Sequence, residues 1–381
     1  MFGLLARALE RYIRRSFVLA CFFLYVDEVI SLARARDAAS AQFCVQKCIV
    51  NTFGPGSVEL TKSTSPATMQ VILGWQVDVI AATIRPSDRG IQKLCVAFFS
   101  FDFGGRVSLH LCQVLASLAQ RYSLCLRGMS CFVQPLHNMT SGFHDNKNVT
   151  RKLSSAAKFC VTMWRAVSLM LFLDSDCFNI NLWSLLPSST PFSFILTSDA
   201  GPRGLGVKVV HPVSFELVGF SDFVLPFDSS DPMYQNCREY MGYLFALLVV
   251  CVCGGRIHPG SRLWWRTDNM AAKSWVQDNM SSSSFTQTAL MAVSILTLRL
   301  KLDVTSAEHI PGSTMGAVDS LSRGFETDLD PSKYIPLQDN LHLSTLFRAC
   351  DPTVTRDLRC HLVVFEEIHS VLDLFLFSCR A

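Results

Sequence analysis

Charge is scarce in this sequence, and long apolar runs are absent. Only 17% of the 381 residues are charged, while half are hydrophobic. That balance excludes a disordered or low-complexity chain and leaves ample material for packed cores. The apolar runs are nevertheless short. Residues 16–26 run to Asp27, 241–253 end in Gly254 and Gly255, and 371–379 are interrupted by Asp373. Each falls short of the roughly 20 residues that cross a bilayer, so no transmembrane helix is expected. A secretory signal is missing too: Glu10 and four arginines (Arg7, Arg11, Arg14, Arg15) precede the first run, with no small-residue cleavage site after it. None of the fifteen cysteines forms a C-x2-C pair. Most sit inside apolar runs, as buried thiols do, which argues against a zinc site. Together these absences give an expected reducing compartment, the cytoplasm or the nucleus. No internal repeat is apparent.

The charge that is present is unevenly placed. Residues 1–198 hold 19 Lys/Arg against 11 Asp/Glu, and residues 199–381 hold 15 against 20. A basic half joined to an acidic half suits a polyanion-binding platform beside a carboxylate-rich site, and equally suits ordinary surface charge. The length suggests two or three domains.

Along the chain, residues 2–15 read as an amphipathic helix. Strands at 16–26 and 29–33 flank Asp27 and Glu28 as a hairpin. Helix is expected over 38–50, strand over 71–79, and helix over 87–99 and 107–120. Residues 137–160 read as a polar connection. A second segment starts near Pro191, with strands at 192–197, 207–210 and 215–220. A helix at 236–253, apolar nearly all round and therefore buried, is followed by a strand at 263–267. Then come a helix from Met270, a helix at 285–300, a strand at 302–308 and a short helix at 316–322. The order is that of a mixed α/β layer. Residues 326–381 remain a tail with a polar start and an apolar end.

Four acids in the second segment stand out by position: Asp199, Glu239, Asp268 and Asp319. Asp199 and Asp268 close predicted strands, where ligand sites of α/β sheets lie. Glu239 falls in the first turn of the buried helix, where a charge is costly without a purpose. Asp319 lies on the last short helix. Four converging carboxylates repel one another unless a cation neutralises them. Oxygen donors suit Mg²⁺ or Mn²⁺, and two such ions can activate water against a phosphodiester. Gly201, Gly204 and Gly206 do not make a dinucleotide loop, because a strand rather than a helix follows them.

The local contexts carry a resemblance. Thr197-Ser-Asp-Ala-Gly-Pro-Arg-Gly-Leu-Gly206 resembles the first-strand motif of retroelement ribonuclease H domains. Arg238-Glu-Tyr-Met-Gly-Tyr-Leu-Phe-Ala-Leu247 looks like their second motif. Arg266-Thr-Asp-Asn-Met-Ala271 is similar to the third. His309-Ile-Pro-Gly312 with Val318-Asp-Ser-Leu-Ser-Arg323 resembles the fourth. Two positions depart from that last motif, with Met315 and Val318 where the family carries Asn and Ala. The resemblance implies that Asp199, Glu239, Asp268 and Asp319 hold two Mg²⁺ (or Mn²⁺) ions. It implies that His309 moves protons or aids product release, and that Asn269 and Arg323 contact nucleic acid.

In the first half, Tyr25-Val-Asp-Glu28 resembles the Y-x-D-D box of reverse transcriptases, with Glu28 in place of the second Asp. Ile72-Leu-Gly-Trp-Gln-Val-Asp78 is similar to the palm segment that follows, and Thr83-Ile-Arg-Pro-Ser with Lys93-Leu94 extends the likeness toward the thumb. Arg85, Arg89, Lys93 and Arg106 are candidate grips on a duplex backbone. An earlier palm strand has no room before Tyr25, so the expectation is an N-terminally truncated polymerase that makes no DNA by itself.

The resulting expectation is an α/β (mixed α+β) chain. A partial reverse transcriptase palm would occupy 1–82, a thumb or connection 83–190, a ribonuclease H-like mixed sheet with flanking helices 191–325, and a tail 326–381. Its activity would be Mg²⁺-dependent hydrolysis of the RNA strand of RNA/DNA hybrids. Its partners would be nucleic acid and the missing polymerase half, with no membrane. The alternatives are an inactive retroelement relic that at most binds nucleic acid, and an integrase or other nuclease of the same fold.

Overall fold

The computed structural model describes residues 11–13, 15, 20–25, 28–58, 63–72, 74–102, 104–123, 126–141, 149–175, 179–181, 191–202, 204–227, 231–253, 261–278, 286–300, 302–351, 363–364, 366–368 and 370. The chain divides into two compact units, Met1–Thr83 and Ile84–Ala381.

In the first unit, β1 (Ala20–Tyr25) and β2 (Glu28–Ala33) pair antiparallel, with Tyr25 opposite Glu28 at the turn. The expected hairpin is therefore present. Asp27 lies outside the described residues. Helix α1 (Ala38–Phe53) buries Ala41, Val45 and Cys48 against Ile13. The single strand expected over 71–79 is instead two, β3 (Met69–Ile72) and β4 (Trp75–Asp78), paired antiparallel. Gly74 between them has φ +86°, a left-handed turn conformation that glycine adopts without steric cost and that ends the first strand.

The second unit opens with β5 (Thr83–Pro86) at the boundary and α2 (Asp88–Phe99), whose N-cap Ser87 accepts from the Gly90 amide. After β6 (Arg106–Ser108) come α3 (Leu109–Ser123) and α4 (Gln134–Ser141). Then follow β7 (Thr150–Lys152), α5 (Ser155–Leu173) and β8 (Ile180–Asn181). Of the polar connection expected over 137–160, residues 142–148 lie outside the described residues, and the described remainder is largely regular structure. Among the described polar residues, Ser154 caps α5 by accepting from the Ala157 amide. Helix α5 also qualifies the expectation of no membrane-spanning stretch, because among the described residues it is the one helix long and apolar enough to span a bilayer by length and composition. Half of that apolar stretch is buried. Its Arg165 donates to the carbonyls of Phe98 and Phe101 at 2.6 Å each, and its Trp164 to that of Phe132. These are the contacts of a core helix.

The remainder is built on a five-stranded mixed sheet of order β11-β10-β9-β12-β13. Strand β9 is Phe194–Ala200, β10 Gly204–Val210, β11 Leu217–Val224, β12 Arg262–Thr267 and β13 Asp303–His309. The first three form an antiparallel meander, whereas β12 runs parallel to β9 and β13 parallel to β12. The parallel joins require crossovers, supplied by helices. Helix α6 (Gln235–Cys253) packs on β9 and β10, burying every residue from Arg238 to Cys251. Residues apolar on all faces can only lie between layers. Helix α7 (Met270–Asp278) leans on β13, and α8 (Gln287–Leu300) on α6. Turn residue Gly128, in the 3-10 stretch Arg127–Phe132, meets α8 so closely that a Cβ there would stand 2.7 Å from Leu298.

Helix α9 (Gly316–Ser322) lies directly on β10 and β9. The glycines make this possible. A Cβ at Gly206 would stand 2.3 Å from the Val318 carbonyl, and one at Gly201 or Gly204 2.7 or 2.6 Å from that of Ser322. Past α9, residues 331–351 cover the edge strand β11. Ile335 donates to Phe220, Ser221 to Ile335, and Tyr334 to Asp222. Helix α10 (Leu341–Ala349) sets Phe347 against Phe223 and Phe245. Covering an edge in this way removes a row of unpaired backbone groups.

Candidate metal centre

Three of the four predicted acids meet. Asp199, Glu239 and Asp268 each offer one carboxylate oxygen, and these oxygens lie within 4.8 Å of one another. Asp199 is the penultimate residue of β9, and Asp268 follows the last residue of β12. Because β9 and β12 are parallel neighbours, both carboxylates leave the same end of the sheet. Glu239 stands in the second turn of α6, the helix that packs on β9 and β10.

Each buried carboxylate is held by hydrogen bonds, and the Ala200 backbone adds one to Asp199. The Ser322 hydroxyl donates to Asp199 Oδ2 at 2.5 Å. The Gln235 amide nitrogen, Nε2, donates both to Glu239 Oε1 at 2.7 Å and to the Ala200 carbonyl at 2.9 Å. Arg238, 3% exposed, donates to the Gln235 side-chain oxygen and so fixes which way that amide points. Glu239 is itself 3% exposed, and its other oxygen, Oε2, has no hydrogen-bond partner among the described residues. A buried acceptor left bare costs free energy unless something absent from the protein satisfies it.

The electrostatics match that geometry. Burial, with Asp199 and Asp268 nearby, pushes the Glu239 carboxyl up to about 9. Burial also raises Asp199; the Ser322 hydrogen bond opposes this, while Asp268 and Asp319 add to it. Oxygen-only donors, crowded negative charge and an unpartnered buried oxygen together fit a hard divalent cation. Asp199, Glu239 and Asp268 are the residues able to hold one.

Asp319 is close enough to act on Asp199 but is turned elsewhere. Its Oδ1 receives both Nε and Nη2 of Arg323, at 2.8 Å each, and it is 43% exposed. His309, exposed at the end of β13, places Nε2 3.0 Å from the Asp268 carbonyl oxygen. Asn269 caps α7 by accepting from the Ala272 amide, and its own amide donates to Asn236. Arg85 pairs with Asp88 at 3.0 Å, whereas Arg89 and Lys93 lie on the exposed face of α2. Arg106 donates to Thr150 across the β6–β7 pair. Tyr25 and Glu28 end the paired part of the hairpin.

Three contributors, Gln235, Ser322 and the trio Gly201, Gly204 and Gly206, have no site role in the sequence reading. Gln235 lies four residues before Glu239, the helical spacing that puts two side chains on one face, and that is the signal available for it. Ser322 and the glycine trio have no such local signal, because their role exists only where α9 crosses β9 and β10.

No protein-family model matches the chain, and no curated protein matches it. Solved structures do. The foamy viral protease-reverse transcriptase dRH in complex with double-stranded DNA matches 81% of this chain and 49% of its own, at 11% identity and a TM-score of 0.36. The foamy viral protease-reverse transcriptase in complex with RNA/DNA hybrid matches 87% and 40%, at 12% identity and a TM-score of 0.34. The chain spans about half the length, or less, of these distantly similar structures.

Proposed function

We propose that this chain is a divalent-metal-dependent ribonuclease H that hydrolyses the RNA strand of RNA/DNA hybrids. The observation that carries the reading is the convergence of Asp199, Glu239 and Asp268, one of which, Glu239, keeps a buried oxygen with no hydrogen-bond partner among the described residues. The four ordered motifs and the mixed sheet with flanking helices are what the ribonuclease H resemblance implies, and they support it. Two bound Mg²⁺ or Mn²⁺ ions would supply activation of water and stabilisation of the leaving oxygen. The residues of the chain do the holding. Ser322 and the Ala200 backbone fix Asp199, and Gln235 fixes Glu239 on Oε1. Asp268 is the most open of the three, which leaves it within reach of an entering substrate phosphate. His309, tied to the Asp268 carbonyl, is exposed, and an imidazole so placed is suited to carry a proton away. Arg323, Asn269, Arg85, Arg89 and Lys93 are the cations and amides assigned to the nucleic acid, and hybrid geometry with its 2′-hydroxyls would select the RNA strand.

The test uses the full chain with a labelled RNA/DNA hybrid, in Mg²⁺ and in EDTA. Metal-dependent cleavage of the RNA strand, lost in Asp268→Asn, is the expected result. Hybrid bound but uncut in Mg²⁺ would instead favour a relic that only binds nucleic acid.

A further inference from the structure

We infer that Arg323 is a latch on the fourth acid. In the free chain it holds Asp319 off the three-acid cluster, and a nucleic-acid phosphate releases it. The latch rests on the metal-site reading above and adds to it how the site is completed.

The geometry separates Asp319 from the other acids. Three carboxylate oxygens converge within 4.8 Å, and Asp319 is not among the residues that supply them. Distance along the fold is not the reason. Helix α9 is seated on β9 and β10 at glycine contacts, and Ser322, three residues beyond Asp319, reaches Asp199 itself. The Asp319 carboxylate is near enough for its charge to act on Asp199. What occupies it is Arg323, one turn on, with two guanidinium nitrogens on a single oxygen.

The pair is made to be exchanged. Arg323 is 54% exposed and Asp319 43%. An ion pair so open to water contributes little, so displacing it costs little. A guanidinium fork matches the paired oxygens of a phosphate at least as well as one carboxylate oxygen. A phosphodiester arriving at the cluster therefore competes for Arg323. Once Arg323 turns to it, Asp319 is an unpaired carboxylate beside a cation site, and rotation of its side chain is all that remains. The same arginine then binds substrate and admits the fourth ligand. The metal set would be completed only when there is a phosphate to cut.

The test is Mn²⁺ binding, followed by calorimetry and by the Mn²⁺ resonance signal, on the full chain without nucleic acid. Arg323→Gln is expected to tighten Mn²⁺ by about 5-fold, the ratio that an exposed pair of about 1 kcal/mol represents. In the Asp319→Asn background the same change is expected to do nothing. Adding a short RNA/DNA hybrid, whose own Mn²⁺ uptake is titrated in parallel, should tighten Mn²⁺ on the unaltered chain and add little to Arg323→Gln. Equal tightening in both backgrounds would mean that only the lost positive charge matters, and would overturn the latch. So would Mn²⁺ binding that Arg323→Gln leaves unchanged. No Mn²⁺ on any variant would overturn the metal-site reading as well, which keeps the two failures apart.

Discussion

Two helices bring acids to the same end of one sheet, and they treat them oppositely. Helix α6 is a 19-residue core element, and its Glu239 is 3% exposed, clamped on one oxygen and bare on the other. Helix α9 is seven residues long, lies on a glycine-paved surface, and leaves Asp319 half open and paired with Arg323. The two carboxylates belong to different motifs of one resemblance. Burial decides the difference. A charge inside the layers must be satisfied by a ligand or take up a proton, whereas one at the rim can settle with a neighbouring arginine and water.

The sharpest way to break this comparison is to vary pH without metal. The folded Glu239 carboxyl titrates at about 9, above its ordinary value of 4.5. Between those values the folded chain holds a proton that the unfolded chain has released. Stability from this group is therefore greatest below about 4.5 and falls as pH rises through 9, by up to about 1.4 kcal/mol per pH unit inside the window. Raised Asp199 adds to it with the same sign. Thermal unfolding in EDTA from about pH 5 to 9 should show the decline. Glu239→Gln should flatten most of it, and Mg²⁺ should reverse it for the unaltered chain by binding the ionised form. A flat profile for the unaltered chain would remove the contrast between the two helices.

A second test strikes the seat of α9. Gly206→Ala places a Cβ 2.3 Å from the Val318 carbonyl, a backbone atom that cannot swing aside. A loss of about 1–3 kcal/mol in chemical denaturation is expected. Because Asp268 and Glu239 do not depend on α9, whatever Mn²⁺ affinity they provide should survive in the folded fraction. The smallest effect belongs to the rim. Asp319→Asn should change thermal stability by no more than about 1 kcal/mol, since it removes only an exposed pair. A larger loss would show that the fold depends on Asp319 as much as on Glu239.

Much of the sheet is legible in the sequence because its signals are local. The strands leading to Asp199 and Asp268, the largely apolar helix of Glu239 and the β1–β2 hairpin all follow from periodicity and punctuation. The exceptions are equally local in cause. One glycine, Gly74, splits a strand that hydrophobicity alone continues. The polar residues between 137 and 160 look like a loop until Ser154 is seen to cap a core helix. Nor does polarity at 326–340 reveal that this segment pairs with β11, since edge covering is a long-range event.

Residue order alone determined which side chains could do metal chemistry, and in which motifs they stand, because strand ends and helix turns are set by neighbours within a few positions. Only the tertiary structure decided how each acid is held. It set Ser322 on Asp199, Gln235 on both Glu239 and the Ala200 carbonyl, and Arg323 on Asp319, and it made three glycines the floor beneath α9. The reason is physical: burial and the crossing of distant segments fix the charge state and partner of a carboxylate, and neither is written in the residues beside it.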